Sequence, residues 1–143
     1  MKILFINGPN LNMLGEREED LYGQLSLDEI NSLIKEKANK ANIDVEFYQS
    51  NEEGKIVSKI QASSGTIDYI VINPAAFTHT SIAIRDALLA VKIDFIEVHL
   101  SNIFSREDFR QNSYVSSIAL GVISGFGHQG YLMALDAIDS LDK

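Results

Sequence analysis

The stretch Ile3-Leu4-Phe5-Ile6-Asn7-Gly8-Pro9-Asn10 decides how this chain folds. Its four consecutive apolar residues are typical of a strand that is buried on both faces, and the Gly-Pro pair that follows ends the strand. Further short apolar runs occur at Val45–Tyr48, Ile67–Ile72, Phe95–Val98 and Ile118–Ile123. The sequence therefore predicts five buried strands.

Segments with helical periodicity separate most of these runs. They are Leu27–Ala41, Glu52–Ser63, Ser81–Val91 and Tyr131–Leu141. Ser26 and Glu29 form a capping box at the start of the first helix. Strands that alternate with helices favour a parallel sheet with right-handed crossovers. We expect residues 1–143 to form one α/β, flavodoxin-like three-layer domain, with a five-stranded parallel sheet and helices on both faces.

The composition narrows the class of protein. The chain has 143 residues, of which 45% are apolar, and this is enough for one core. Its net charge of -8 argues against nucleic acids and anionic membranes as partners, because these are bound by clustered Lys and Arg. Cysteine is absent, which excludes disulfides and thiolate chemistry. The N-terminal apolar run is too short for a signal peptide or a membrane span, so we expect a cytoplasmic protein.

The connection after the first strand carries two reactive side chains. It has about twenty residues where two to six are usual. Since ligands of a parallel sheet bind beyond the carboxyl ends of the strands, we expect residues 11–24 to form a lid over an active site. Arg17 and Tyr22 lie in this segment. A guanidinium beside a phenol favours the phenolate, so Tyr22 is a candidate general base.

Two histidines are predicted at the same edge of the sheet. His99 follows Glu97 by two residues on a strand, so both side chains point to one face and the carboxylate can orient the imidazole. His79 lies near the start of the third helix, where free backbone N–H groups can bind an anion. Thr78 and Ser81 are expected to contact the same ligand, although helix capping explains Thr78 equally well.

A glycine-rich turn near the last helix imitates a nucleotide-binding motif. Gly125-Phe126-Gly127-His128-Gln129-Gly130 matches the dinucleotide pattern, but no second strand or acidic residue follows at the required distance. We therefore interpret the glycines as sites of close packing between helix and sheet, and His128 as structural. The three histidines lack the regular spacing of a metal site, so no metal is expected.

Groups of residues along the chain form one collinear pattern. They are Asn7-Gly8-Pro9-Asn10-Leu11-Asn12, Leu14-Gly15, Arg17-Glu18, Tyr22-Gly23, Gln49-Ser50-Asn51, Glu53-Gly54, Asn73-Pro74, Thr78-His79-Thr80-Ser81, Arg85-Asp86-Ala87, Glu97-Val98-His99, Ser101-Asn102, Arg106-Glu107, Phe109-Arg110 and Gly130-Tyr131. This pattern closely resembles the type II 3-dehydroquinate dehydratases. The resemblance implies anti dehydration of 3-dehydroquinate to 3-dehydroshikimate through an enolate, with no metal and no cofactor. It also implies a homo-oligomer, a dodecamer built from trimers.

The resemblance assigns catalytic roles by position. Tyr22 would be the base that takes the C2 proton, and Arg17 and Arg106 would hold it as the phenolate. His99 would be the acid that protonates the departing C1 hydroxyl, with Glu97 as its partner. A base of this kind and an acid that is protonated near neutral pH suit an elimination next to a ketone.

The resemblance also implies binding roles. Asn10 would hold the water that stabilises the enolate oxygen. Asn73, Ser101 and the backbone N–H groups of Leu100 and Ser101 would bind the substrate carboxylate. These groups are donors of the kind that stabilise anionic oxygens.

The remaining implied roles concern the substrate hydroxyls and a neighbouring subunit. His79 and Arg110 would bind the ring hydroxyls, and Asp86 would reach into the site of the next subunit. Arg85 also lies beside the proposed site, so all the arginines of this acidic chain are expected to surround a locally positive pocket.

Three positions depart from the family pattern. Glu19 replaces a frequent proline in the lid, and Gln61 replaces a frequent histidine on the second helix, outside the site. Ala75 replaces a common glycine after Asn73-Pro74, and we expect it to narrow the turn beside the carboxylate pocket.

A binding or signalling module without catalysis is the alternative on this fold. A phosphoacceptor domain would need Asp at the end of the third strand, where this chain has Asn73. A flavodoxin would need a hydroxyl-rich loop after the first strand, where it has Asn7-Gly8-Pro9-Asn10. The sequence therefore favours the enzyme.

Overall fold

The computed structural model describes residues 1–16 and 25–143, which contain one five-stranded sheet and four α-helices. The strands are β1 (Lys2–Asn7), β2 (Asp44–Gln49), β3 (Tyr69–Asn73), β4 (Phe95–His99) and β5 (Gly121–Ser124). The helices are α1 (Leu27–Lys40), α2 (Glu53–Ala62), α3 (Ile82–Val91) and α4 (Gln129–Leu141). All predicted strands and helices are present, with shifted bounds. No helix within the described ranges is long and apolar enough to cross a membrane.

All neighbouring strands are parallel, in the order β2-β1-β3-β4-β5. β2 pairs with one side of β1, and β3, β4 and β5 follow one another on the other side. The strand order therefore reverses between β1 and β3, which is where doubly wound sheets bind their ligands. The predicted α/β, flavodoxin-like parallel sheet is confirmed.

The alternation of side chains along β1 divides the core into two halves. Ile3 and Phe5 pack with the buried residues of α1 and α4 on one face of the sheet. Leu4 and Ile6 pack with those of α2 and α3 on the other face. All four side chains are fully buried, and each stabilises the fold by about 1.5–3 kcal/mol. The predicted three-layer arrangement is confirmed.

Strand β3 begins two residues later than the apolar run predicts. The Ile67 N–H donates to the Ser63 carbonyl at 3.0 Å, so Ile67 closes the end of α2 instead of extending the strand. Its burial shows that an apolar residue at this position serves the core without being in the sheet.

The predicted strand at 118–123 is also displaced along the chain. Ile118 belongs to a 3-10 helix (Ser116–Ile118), and its N–H donates to the Val115 carbonyl at 3.1 Å. β5 starts at Gly121, beside Ile96 of β4. The apolar run therefore contains a turn followed by a short strand.

Side-chain caps fix the starts of two helices. At α1, Ser26 accepts the N–H of Glu29 at 3.1 Å and Glu29 accepts the N–H of Ser26 at 3.3 Å, so the predicted capping box is confirmed. At α3 the cap is Ser81, which accepts the N–H of Ile84 at 3.0 Å. The capping role considered for Thr78 is wrong. Thr78 and Ser81 are both buried and neither lines the cavity at the carboxyl ends of the strands, which contradicts their expected contact with a ligand.

The first loop leaves β1 through a contact that only glycine permits. The Gly8 N–H donates to the Asn73 carbonyl at 2.8 Å, which joins the ends of β1 and β3. A Cβ atom at position 8 would lie 2.3 Å from the Pro74 carbonyl oxygen, a distance that requires a backbone shift. Both strand ends on which the site is built are thereby held together.

The glycine-rich turn 125–130 serves packing, as the sequence analysis expected. A Cβ atom at Gly130 would lie 3.2 Å from Val98 and 3.4 Å from Ile123, so α4 approaches the sheet closely here. The N–H groups of Gly125 and Gly127 donate to the carbonyls of His99, the last residue of β4, and of Leu100, which follows it. These N–H groups are therefore occupied and do not form a phosphate cradle.

We predict that Ala75→Gly stabilises the protein. Ala75 has a φ of +54°, a left-handed conformation that costs a side-chain-bearing residue about 1–2 kcal/mol. Glycine removes this strain but gives the unfolded chain more freedom, which costs about 0.5–1 kcal/mol. We expect the free energy of unfolding, measured with urea, to rise by about 0.5–1 kcal/mol.

Ala76→Gly is the matched control, because Ala76 is the next residue of the same 3-10 helix and has no positive φ. It should lower the free energy of unfolding by about 0.5–1 kcal/mol. Equal effects of the two substitutions would show that Ala75 is not strained.

Candidate active site

A cavity opens at the carboxyl ends of β1, β3 and β4, where the strand order reverses. Three loops form its wall, each following one of these strands. The lining residues are Pro9, Asn10, Leu11, Asn73, Ala75, Ala76, His79, His99, Leu100, Ser101, Ile103, Arg106 and Arg110. The structure therefore brings together eight of the residues that the sequence analysis assigned to the site.

Glu97 and His99 form a buried pair beside this cavity. The distance between His99 Nε2 and Glu97 Oε2 is 2.5 Å, and both side chains are almost inaccessible. A carboxylate oxygen can only accept a hydrogen bond. The proton therefore lies on Nε2 of His99, which donates a hydrogen bond to Glu97. Nδ1 is then the ring atom through which His99 can exchange a proton with a ligand. The predicted pairing of Glu97 with His99 is confirmed.

Hydroxyl groups complete the surroundings of the Glu97 carboxylate. Ser113 Oγ donates to Oε2 at 2.9 Å, and Ser116 Oγ donates to Oε1 at 2.5 Å. Burial is the largest influence on the pKa of Glu97 and raises it, but the hydrogen bonds from His99, Ser116 and Ser113 together hold the pKa below its usual value. Glu97 is therefore a buried carboxylate at neutral pH.

His79 lines the cavity from the loop after β3 and is held as a neutral imidazole. Its Nδ1–H donates to the carbonyl oxygen of Asn112 at 2.7 Å. Burial is the main cause that lowers the pKa of His79, and the charges of His99 and Arg110 lower it further. With Nδ1 protonated, Nε2 is an acceptor, which suits the hydroxyl group of a ligand.

The side chain of Asn73 is oriented from below by a buried tyrosine. Asn73 Nδ2 donates to the Tyr131 hydroxyl at 3.0 Å, and that hydroxyl donates to Asn7 Oδ1 at 2.5 Å. Asn73 Oδ1 accepts the N–H of Ala75 at 3.1 Å. Burial raises the pKa of Tyr131, so its hydroxyl stays protonated. The second Nδ2 hydrogen of Asn73 and one lone pair of its Oδ1 are left for a ligand.

Asn10 is positioned through its backbone by Asn51, which follows β2, and Asn51 is held in turn by Gln49, the last residue of β2. Its φ of +70° is left-handed, a conformation that asparagine tolerates. The Asn10 N–H donates to Asn51 Oδ1 at 3.0 Å, and Gln49 Nε2 donates to the same oxygen at 3.1 Å and to the Gly8 carbonyl at 3.1 Å. The loop end that carries Asn10 is thus attached to β2 as well as to β3.

The three arginines in the described part of the chain divide into two groups. Arg106 and Arg110 line the cavity. Arg106 Nη1 donates to Ser101 Oγ at 3.4 Å, and Arg110 Nε donates to the Glu107 carboxylate. Arg85 does not line the cavity. Its Nη1 donates to the Tyr114 carbonyl at 2.6 Å and to Ser117 Oγ at 3.1 Å, so its expected place beside the pocket is corrected to a structural contact.

Of the described residues to which the family resemblance gives a role, Glu97 and Asp86 do not line the cavity. Asp86 is exposed on α3, away from the lining residues. Arg17 and Tyr22 lie outside the described residues, as does most of the predicted lid. Their roles stay predictions.

Several residues that hold the site were missed by the sequence analysis. Ser113, Ser116 and Asn112 lie in an irregular segment where no periodicity marks them. Tyr131 was placed correctly on the last helix, but its reach across the sheet to Asn73 could not be read from the sequence. Glu97 lies on a strand that the sequence predicts to be buried. A buried carboxylate needs several hydrogen-bond donors, and this was the available signal for further residues such as the serines.

Comparisons with known proteins agree with this geometry. The model of the family described as Dehydroquinase class II matches residues 1–139. A 3-dehydroquinate dehydratase of Legionella pneumophila (strain Corby) is 60% identical over 138 residues, which cover 96% of this chain and 95% of the relative. The crystal structure of type II dehydroquinase from Butyrivibrio crossotus has a TM-score of 0.95 and 50% identity, with 97% of both chains covered. That from Propionibacterium acnes has a TM-score of 0.93 and 40% identity, with 97% of this chain and 96% of that chain covered.

We predict that Tyr131→Phe destabilises the protein without creating a cavity. Loss of the hydroxyl leaves Asn7 Oδ1 without its donor and Asn73 Nδ2 without its acceptor in a buried place. An unsatisfied buried polar group costs about 1–3 kcal/mol. We expect the free energy of unfolding in urea to fall by about 2–4 kcal/mol.

Tyr114→Phe serves as the control, because Tyr114 is 42% exposed and water can replace any partner of its hydroxyl. It should change the free energy of unfolding by less than about 0.5 kcal/mol. A Tyr131→Phe protein as stable as the wild type would contradict the role given to this hydroxyl.

Proposed function

Since this chain belongs to the class II dehydroquinase family, we propose that it is a lyase that dehydrates 3-dehydroquinate to 3-dehydroshikimate in the shikimate pathway. One observation carries the proposal more than any other. It is the buried Glu97–His99 pair at the edge of a cavity lined by the other polar residues of the family pattern. No cofactor or metal enters the proposed reaction. A binding module without catalysis is the alternative. It does not explain why the chain buries a charged carboxylate against a histidine, which costs desolvation free energy.

The first step is removal of a proton from C2, next to the ketone. The phenolate form of Tyr22 is the base that takes this proton. The positive charges of Arg17 and Arg106 stabilise the phenolate. Arg106 lies in the cavity wall, which supports its part in this step. Residues 11–24 act as the lid that brings Tyr22 and Arg17 to the substrate.

The electrons of the broken C–H bond form an enolate, whose oxygen needs a hydrogen-bond donor. Asn10 holds the water molecule that donates to this oxygen. Its place in the cavity wall and its doubly attached backbone support this role, because a preorganised donor is worth more than a mobile one.

The second step expels the C1 hydroxyl as water. His99 donates the proton from Nδ1, and Glu97 stabilises the imidazolium through Nε2. The enolate electrons form the new C1–C2 double bond as the C1–O bond breaks, so the product is a conjugated enone and one water molecule. His99 then regains a proton and Tyr22 loses one.

The substrate is held at two ends. Asn73, Ser101 and the backbone N–H groups of Leu100 and Ser101 bind its carboxylate. His79 accepts from one ring hydroxyl, and Arg110 donates to a hydroxyl. The neutral His79 with its acceptor Nε2 supports this arrangement.

We further propose a homo-oligomer, a dodecamer built from trimers, in which Asp86 contributes to the site of a neighbouring subunit. Two observations support association. Asp86 is exposed on α3, and one groove beside the edge strand β5 is lined by Phe104, Val122, Phe126 and Met133, each at least 40% exposed. Exposed apolar patches and open sheet edges favour association. The cytoplasmic location expected from the sequence stays a prediction.

Light scattering should give a mass of about twelve times the 15.9 kDa of one chain. Phe126→Asp places a charge in the β5 groove and is expected to lower this mass. Leu141→Asp is the control, since Leu141 is exposed at the end of α4 and does not line the groove. A wild-type mass of one chain at micromolar concentration would contradict the oligomer.

The purified protein, treated with a chelator, should convert 3-dehydroquinate into a product with the ultraviolet absorbance of a conjugated enone. Borohydride added with the substrate should not inactivate it, because no lysine adduct forms. No absorbance change at micromolar enzyme would refute the proposed function.

Tyr22→Phe is the informative variant of this assay. It removes the base and keeps the ring, so turnover should fall by at least about a hundredfold while product still binds. Retained turnover would remove Tyr22 from the role of base without touching the reaction itself.

A further inference from the structure

The Glu97 carboxylate receives its two hydroxyl donors from a single segment, residues 112–117. Ser113 lies after the 3-10 helix Asp108–Arg110, and Ser116 begins the 3-10 helix Ser116–Ile118. The two hydroxyls donate to different oxygens of Glu97. With His99 on Oε2, both oxygens of the carboxylate are held, so it cannot rotate without losing a hydrogen bond.

The direction of the Ser113 hydroxyl is fixed by the backbone of the same segment. Ser113 Oγ accepts the N–H of Val115 at 3.2 Å and that of Ser116 at 3.1 Å. Two donors already occupy the acceptor side of this oxygen, so its own proton points to Glu97. The serine is therefore a preorganised donor to the carboxylate.

The segment is anchored to the loop after β3 and to helix α3. The Asn112 carbonyl holds His79, and the Tyr114 N–H donates to the Thr78 carbonyl at 3.0 Å. On its outer side, Arg85 donates to the Tyr114 carbonyl at 2.6 Å. The segment 112–117 thus holds His79 directly, through the Asn112 carbonyl, and His99 indirectly, through Glu97.

We propose that Ser113 and Ser116 are positioning residues for the dehydration, which hold Glu97 ionised and oriented so that it fixes His99 for proton transfer. This inference rests on the proposed function. Neither serine was assigned a role by the sequence pattern, and neither lines the cavity. Both act on the reaction through Glu97 and not by touching the substrate.

Electrostatics support this role. Burial alone raises the pKa of Glu97, and the hydroxyl groups are among the few donors that oppose it. The titratable groups that act on or respond to Glu97 are His99, in direct contact, and His79 at longer range. A Glu97 that took up a proton would lose the negative charge that stabilises the imidazolium of His99.

The test compares Ser113→Ala, Ser116→Ala and the double variant with wild type in two measurements. Steady-state kinetics with 3-dehydroquinate give kcat and KM. Difference infrared spectroscopy against pH, with Glu97→Gln to assign the band, gives the pH at which the buried carboxyl is protonated. Ser117→Ala is the matched control, because Ser117 lies on the same 3-10 helix and contacts Arg85 instead of Glu97. Ser116→Thr keeps the hydroxyl and tests rescue.

We expect each single alanine variant to lower kcat about tenfold with KM within about twofold of wild type, because a hydrogen bond to a charged group is lost away from the substrate. The protonation of Glu97 should move to higher pH in each, and further in the double variant. Ser117→Ala and Ser116→Thr should behave like wild type in both measurements.

The inference would be overturned if both single alanine variants kept the kcat of the wild type and showed no shift in the pH at which the Glu97 carboxyl is protonated. The proposed function would still stand in that case, because the wild-type protein would be active. Equal losses in Ser117→Ala would also overturn the inference, since these would indicate general damage to the segment. A wild-type protein without activity overturns the proposed function and this inference with it. Should the double variant fail to fold, the single variants and Ser116→Thr still decide.

Discussion

The burial of the Glu97 carboxylate is the constraint on which the rest of the site depends. A charge removed from water costs several kcal/mol unless it is paired and hydrogen-bonded on all sides. Here the side chain is fully buried in β4, and three donors surround it: one imidazole and two hydroxyls. The imidazole lines the cavity, while the hydroxyls belong to the segment 112–117, none of whose residues lines it. The buried charge therefore depends on residues outside the cavity wall.

The parallel sheet explains why so few residues suffice to build this site. Three strands end at one edge, so the loops that follow β1, β3 and β4 meet there. Hydrogen bonds then tie each loop to another element: Gly8 to Asn73, Asn10 to Asn51, and His79 to Asn112. The polar side chains around the cavity are consequently oriented before any ligand arrives, which is the condition for strong electrostatic stabilisation of a transition state.

The sequence predicts the layers of this fold better than their edges. Buried strands and amphipathic helices follow from periodicity, and the Glu97–His99 pair follows from the spacing of two within a strand. Ile67 and Ile118 were placed in strands because they are apolar, whereas their N–H groups bond back to the preceding turn. Which atoms a backbone N–H will reach is a property of the folded chain.

The same limit applies to the donors of the site. Thr78 and Ser81 carry the same kind of hydroxyl, yet only Ser81 caps the helix, and that difference depends on a shift of three residues in where the helix begins. Ser113 and Ser116 lie in an irregular segment, so no periodic pattern links them to Glu97. The departure at Ala75 was visible as a residue type, but its left-handed φ became apparent only in the structure.

The contacts made by the glycine turn and by Tyr131 also bear on the order in which the site is completed during synthesis of the chain. Gly125 and Gly127 bind the carbonyls at the end of β4, and the Tyr131 hydroxyl binds Asn7 and Asn73. Gly125, Gly127 and Tyr131 are synthesised after Arg110, the last described residue that lines the cavity. A nascent chain that has emerged from the ribosome only as far as Arg110 thus contains every described lining residue and still lacks several of the groups that orient them. The orientation of the site is completed late in synthesis, by residues that do not line the cavity.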